Sequence, residues 1–151
     1  MKIRIVLLLP VAIAASACAH VSTSVTPLDP SVRLARTCPA AVKLYVAPDR
    51  VLQPYREVAL LNSTGEVKYS DEGEMFGSMR EMAGFVGANG VILGGIDEPN
   101  AITKVAADVA KTEAVRKGKA LAIYVPADSA SAVAACANYK APSWFHRYFG
   151  L

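Results

Sequence analysis

The chain offers little raw material for catalysis or for holding a metal. Histidine, the side chain most used for proton transfer and metal ligation near neutral pH, occurs twice in 151 residues, at His20 and His146. His20 falls in a Ser/Thr-rich stretch and His146 in a terminal aromatic cluster. Several serines are present without a nucleophile-elbow pattern, and the acidic residues are scattered, so no nucleophile–base or carboxylate pair is selected. The three cysteines lack the close C-x-x-C spacing of a redox or zinc motif. No apolar run approaches the roughly twenty residues needed to cross a bilayer. An excess of one charge is missing too, since 16 Lys and Arg stand against 13 Asp and Glu. These absences set the expectation of a non-enzymatic protein with no cofactor, no metal and no nucleic-acid partner.

What is present begins at the N-terminus. Lys2 and Arg4 precede an uncharged stretch over residues 5–17, followed by Cys18. A short basic stretch, about a dozen apolar residues and small residues before a cut site are the parts of a secretory signal. Pro10 falls inside the apolar stretch, where it would break a continuous helix. Ala15-Ser16-Ala17-Cys18 resembles the lipobox of bacterial lipoproteins, with Ala15 where the usual box prefers Leu. The resemblance implies cleavage after residue 17 and lipidation of Cys18. The alternative is ordinary cleavage after Ala17 that leaves Cys18 as a free thiol. Ala19 follows the cysteine in place of the Asp that resembles an inner-membrane retention signal, which favours the outer membrane. With Lys2 and Arg4 removed, 14 basic residues face 13 acidic ones, which gives no footprint for nucleic acid.

The remaining cysteines, Cys38 and Cys136, suit an oxidising compartment and form a disulfide candidate that flanks the expected core. Residues 18–38 read as a lipidated N-terminus and flexible tether, with Thr26-Pro27 and Asp29-Pro30 as breakers. Residues 39–151 read as one domain. Alternation over residues 42–46 predicts a first strand and residues 55–61 a second, closed by Asn62-Ser63-Thr64-Gly65. Asp71 with Glu74 three residues on predicts a capping box. Met75, Met79, Met82, Ala83 and Val86 then recur at helical spacing up to Gly87, which suits the left-handed position after a helix. Residues 89–96 form a third strand, so strand, helix and strand suggest a parallel pair with right-handed crossover. Ile102, Val105 and Val109 allow a short second helix or an Ala-rich loop. Residues 119–125 predict a fourth strand, stopped by Pro126, and residues 129–138 a helix. The expected fold is α+β, with about four strands in strand-strand-helix-strand-strand order, one main helix on one face, a C-terminal helix and an aromatic tail.

Three features invite sharper readings. Gly84, Gly87, Gly90, Gly94 and Gly95 suggest a nucleotide loop, yet that loop must follow a strand and open a helix, and here the order is reversed. The methionines could ligate Cu(I), but their shared face is the one available to cover the sheet, so core packing is expected. Five of the chain's 11 aromatic residues (Tyr139, Trp144, Phe145, Tyr148 and Phe149) occupy the last thirteen positions. Trp144, Phe145, Tyr148 and Phe149 are interaction candidates, because Tyr and Trp suit surfaces with one apolar and one wet side. Folding back onto the core is the other reading. Lys104, Lys111, Arg116, Lys117 and Lys119 form a mild basic run, read as a solvated face.

Tyr55-Arg56-Glu57-Val58, a helix carrying Met79-Arg80 and Ala83, and then Gly87-Ala88-Asn89-Gly90-Val91-Ile92 follow one another along the chain. This arrangement resembles small bacterial lipoproteins with YbjQ-type domains and the outer-membrane sensor lipoprotein of the Rcs envelope-stress phosphorelay. The resemblance covers about half the chain and implies a fold rather than an activity. The Rcs sensor type carries cysteines within this core, whereas residues 42–125 hold none. No functional residue carries over. Taken together, the sequence predicts an outer-membrane lipoprotein facing the periplasm, attached to the membrane through its lipid and contacting an envelope protein partner. A periplasmic small-molecule or metal-binding domain is the alternative.

Overall fold

A computed structural model describes residues 20–140. Cys18 and the candidates Trp144, Phe145, Tyr148 and Phe149 lie outside the described residues. Within them the fold is α+β: a five-stranded mixed sheet, three α-helices, and one main helix packed with the sheet. The strands are β1 (Val21–Pro27), β2 (Lys43–Tyr45), β3 (Arg56–Glu66), β4 (Gly90–Asp97) and β5 (Val115–Tyr124). The helices are α1 (Glu72–Phe85), α2 (Ala101–Ala110) and α3 (Ser129–Cys136). Spatial order across the sheet is β1-β3-β5-β4-β2.

Three expectations change here. The stretch expected to be tether contains β1, which pairs antiparallel with β3 from Val21↔Gly65 to Pro27↔Ala59. Its Ser/Thr-rich composition hides a period-two pattern: Val21, Thr23 and Val25 turn partly inward while Ser22, Ser24 and Thr26 face water. Thr23 belongs to the inner set because its hydroxyl donates to Ser63 Oγ at 3.0 Å and lies 2.8 Å from Ser78 Oγ. Secondly, β3 runs on through Asn62-Ser63-Thr64-Gly65, where the turn-forming residues suggested a stop. Those residues alternate buried and exposed, and pairing with both β1 and β5 overrides their local preference. Thirdly, β3 and β4 point the same way without touching, since β5 lies between them, antiparallel to both. The hydrogen-bonded parallel pair is β2 with β4.

α1 begins as the capping-box reading expects: Glu74 N–H donates to Asp71 Oδ1 at 2.8 Å and Asp71 N–H to Glu74 Oε2 at 3.1 Å. Its Met75, Met79 and Ala83 are fully buried: Met79 and Ala83 pack with Ala59, Leu61, Ala120 and Ala122, and Met75 lies over Gly65 and Gly118. The small strand residues let the helix approach closely, and the methionines fill what remains. A Cβ added at Gly118 would stand 2.7 Å from Met79 Cε, so the thioether tip occupies the space glycine leaves. Gly87 ends the helix at φ +82°, with Leu34 packed where a side chain would project. A smaller cluster of Ile92, Ile123 and Val125 forms the second core, roofed by Tyr45, Val51 and Tyr55. The sulfurs of Cys38 and Cys136 are joined at 2.03 Å, linking the segment before β2 to the end of α3.

Candidate functional site

The two ends of the sheet differ in character. At one end β1 enters at Val21 beside Gly65, and β5 begins beside it with Gly65↔Arg116. Here His20 stacks on Tyr69 with ring centroids 4.7 Å apart and its Nδ1 lies 2.9 Å from Glu66 Oε2. Arg116 pairs with Glu98 and donates to the carbonyls of Val67 and Ser70, fastening the β3–α1 turn to β5. At the other end, roughly 30 Å away along the eleven residues of β3, lie the disulfide, the C-terminus of α1 and two open clefts.

The larger cleft encloses about 700 Å³ between the segment that follows β1, the start of β3 and the end of α1. Val58, Ala59, Phe85 and Val86 make an apolar floor, and Arg33, Arg36 and Arg56 line the rim together with Asp29 and Glu57. Each arginine is exposed. The Arg36 guanidinium lies 4.1 Å from the Phe85 ring centroid and that of Arg56 5.6 Å from Tyr124. Both cations are therefore held over aromatic faces rather than neutralised by a carboxylate. Asp29 is occupied locally: it accepts from the Ser31 hydroxyl and amide, which holds its carboxyl below the usual range. A smaller cleft of about 490 Å³ adjoins the first across Leu34 and Arg36 and runs along Tyr124, Val133 and Cys136.

One buried polar residue holds this end together. Asn89 is 1% exposed, accepts from Val125 N–H at 2.7 Å through Oδ1, and donates to Val125 O at 2.9 Å through Nδ2. Its amide acts as one more rung of backbone pairing beyond the last residue of β5. On α1, burial alone pushes the Glu81 carboxyl above its ordinary range, and burial and then Glu81 push the Tyr139 phenol up. Chemically the distal end can bind: cations on a rim, apolar surface beneath, and amide and carbonyl groups along the clefts. Among the described residues no group of three His, Cys, Asp or Glu side chains converges as a metal site would require.

The arginine rim is absent from the sequence reading. Arg33 and Arg36 sit in what reads as tether, and Arg56 is twenty positions further on. The signal available was Cys38: a disulfide two residues after Arg36 pins that segment, and Thr37 N–H is bonded to Gly84 O at 2.9 Å. The basic run noted in the sequence disperses. Lys104 and Lys111 are on and just past α2, Lys117 and Lys119 are exposed on β5, and Arg116 is half-buried in its ion pair.

No family model matches the chain, and no curated protein matches it. Among solved structures it is similar to the Francisella virulence factor FvfA, at 13% identity and a TM-score of 0.48, over 68% of this chain and 96% of that one. A likeness that slight informs neither mechanism nor partner.

Proposed function

We propose that the chain is a membrane-anchored envelope lipoprotein, held by lipid on Cys18 at the periplasmic side of the outer membrane, whose domain is a non-enzymatic interaction or sensory module. The observation that carries this reading is the Cys38–Cys136 disulfide. Bonds closing 98 residues of chain belong to oxidising compartments, which agrees with a secretory leader ending at the residue before a lipobox cysteine. The distal cleft is the contact surface. Arg33, Arg36 and Arg56 around the apolar Val58 and Val86 fit an acidic, partly apolar segment of an envelope protein.

The alternative, a periplasmic small-molecule binder, draws on the same cleft, whose size falls in the range of roughly 300–1,000 Å³ typical of ligand sites. Photo-cross-linking in intact cells separates the two. A photoreactive residue replacing Leu34 gives a discrete protein adduct that disappears when Arg33→Glu and Arg56→Glu are added. A bound small mass in native mass spectrometry, with no protein adduct, favours the alternative. The absence of both signals overturns the role assigned to the cleft.

A further inference from the structure

α2 is amphipathic in the wrong sense for a helix of a free soluble domain. Ile102, Val105 and Val109 recur at i, i+3 and i+7 and so form one stripe. These three are 80%, 62% and 81% exposed. Ala107, about 140° around the helix from Ile102, is the one residue of α2 that is partly covered. The apolar stripe therefore points away from the body of the protein, where a surface helix ordinarily turns it inward. The helix is nonetheless properly built. Asn100 caps it, accepting from Thr103 N–H at 2.8 Å, and Lys111 closes it in the left-handed conformation at φ 55°.

The place of α2 in the fold points to what covers this stripe. α2 connects β4 to β5 at the end of the sheet where β1 enters. Val67 N–H donates to Ala114 O at 2.9 Å, and the adjacent Glu66 N–H donates to His20 O at 3.0 Å. Val21 and Arg116 flank Gly65 from either side, two strand spacings or roughly 10 Å apart. Cys18 is three residues before Val21, a reach of about 10 Å even when fully extended. A lipid on Cys18 leaves no room for a long stalk, so this end of the domain sits against the headgroups.

We infer that α2 is an interfacial helix whose Ile102–Val105–Val109 stripe inserts into the periplasmic leaflet that holds the lipid on Cys18, and so fixes the domain with its arginine cleft facing away from the membrane. The inference rests on the reading of Cys18 as the lipid anchor. An amphipathic helix in this position lies in the interface with its apolar face sunk about 5–10 Å. A lipid anchor gives attachment, and the helix adds a defined orientation.

The test uses the full lipidated chain in vesicles of phosphatidylethanolamine and phosphatidylglycerol. Val105→Cys carries an environment-sensitive fluorophore, and Val133→Cys, 72% exposed on α3 at the distal end, is the reference. Cys38 and Cys136 are bonded to one another and Cys18 bears lipid, so the added thiol is the one that reacts. Nitroxide-bearing lipids should quench the label at position 105 several-fold more than the label at 133. Adding Ile102→Asn and Val109→Asn should reduce that quenching to the level of the reference. Both side chains are exposed, so the fold is unaffected. A chain that floats with the vesicles while both labels remain in water overturns the docking and leaves the anchor standing. Shielding at 105 without quenching by lipid overturns it in favour of a second copy or another protein. A chain that carries no acyl mass and does not float overturns the anchor reading and the docking with it.

Discussion

At the scale of single residues, Asn89 holds the most in the least space. Its amide replaces a strand at the point where β5 gives out, and both of its bonds go to one residue, Val125. Asn89→Ala strands a buried N–H and a buried carbonyl, each costing on the order of 1–3 kcal/mol when left unmet. Urea denaturation should show a loss of about 3 kcal/mol or more, whereas an exposed change such as Leu52→Ala should stay within roughly 0.5 kcal/mol. The surrounding residues were legible as a motif before they were legible as physics. Gly87-Ala88-Asn89-Gly90 stood out in the sequence, but that Asn89 would cap a strand 36 residues away could not be read from it. Met75 and Met79 were different. Their helical spacing and lack of polar atoms admitted few places other than the core, and both are fully buried.

At the scale of elements, local signals succeeded where they were strong and failed where pairing overruled them. α1 was legible end to end because its start, its apolar face and its stop are each written in adjacent residues: Asp71 with Glu74, the methionine stripe, and Gly87. β1 was hidden, since serine and threonine serve a solvated strand face as well as they serve a tether, and β1 is an edge strand covered on one face. Sheet order was equally out of reach. The insertion of β5 between β3 and β4 is decided by long-range pairing, which no window of sequence contains. The disulfide joins α3, which adds no residue to the main core cluster, to the segment entering β2, whose Val42 belongs to it. Replacing Cys38 and Cys136 together by serine should cost about 2–5 kcal/mol. Thermal melting with and without reductant checks this: reductant should lower the wild-type Tm and leave the double variant unchanged.

At the scale of the whole molecule, the account is one of polarity along the sheet. The end where β1 enters begins three residues after Cys18 in the sequence and presents α2. The opposite end carries the disulfide, the clefts and the arginine rim. Their separation, roughly the length of β3, would lift the rim clear of the headgroups under the proposed anchor on Cys18. Of this arrangement the sequence disclosed the two cysteines able to bridge. It did not disclose the arginine rim, because Arg33, Arg36 and Arg56 meet only once the fold brings residue 34 beside Gly87.

All of it depends on the lipid. The deciding measurement is the intact mass of the protein purified from bacterial membranes, set beside a Cys18→Ala variant. The account predicts a chain that begins at Cys18 with a diacyl or triacyl addition, and a variant that lacks the addition and leaves the membrane fraction. An unmodified wild-type chain recovered from the soluble fraction would contradict it.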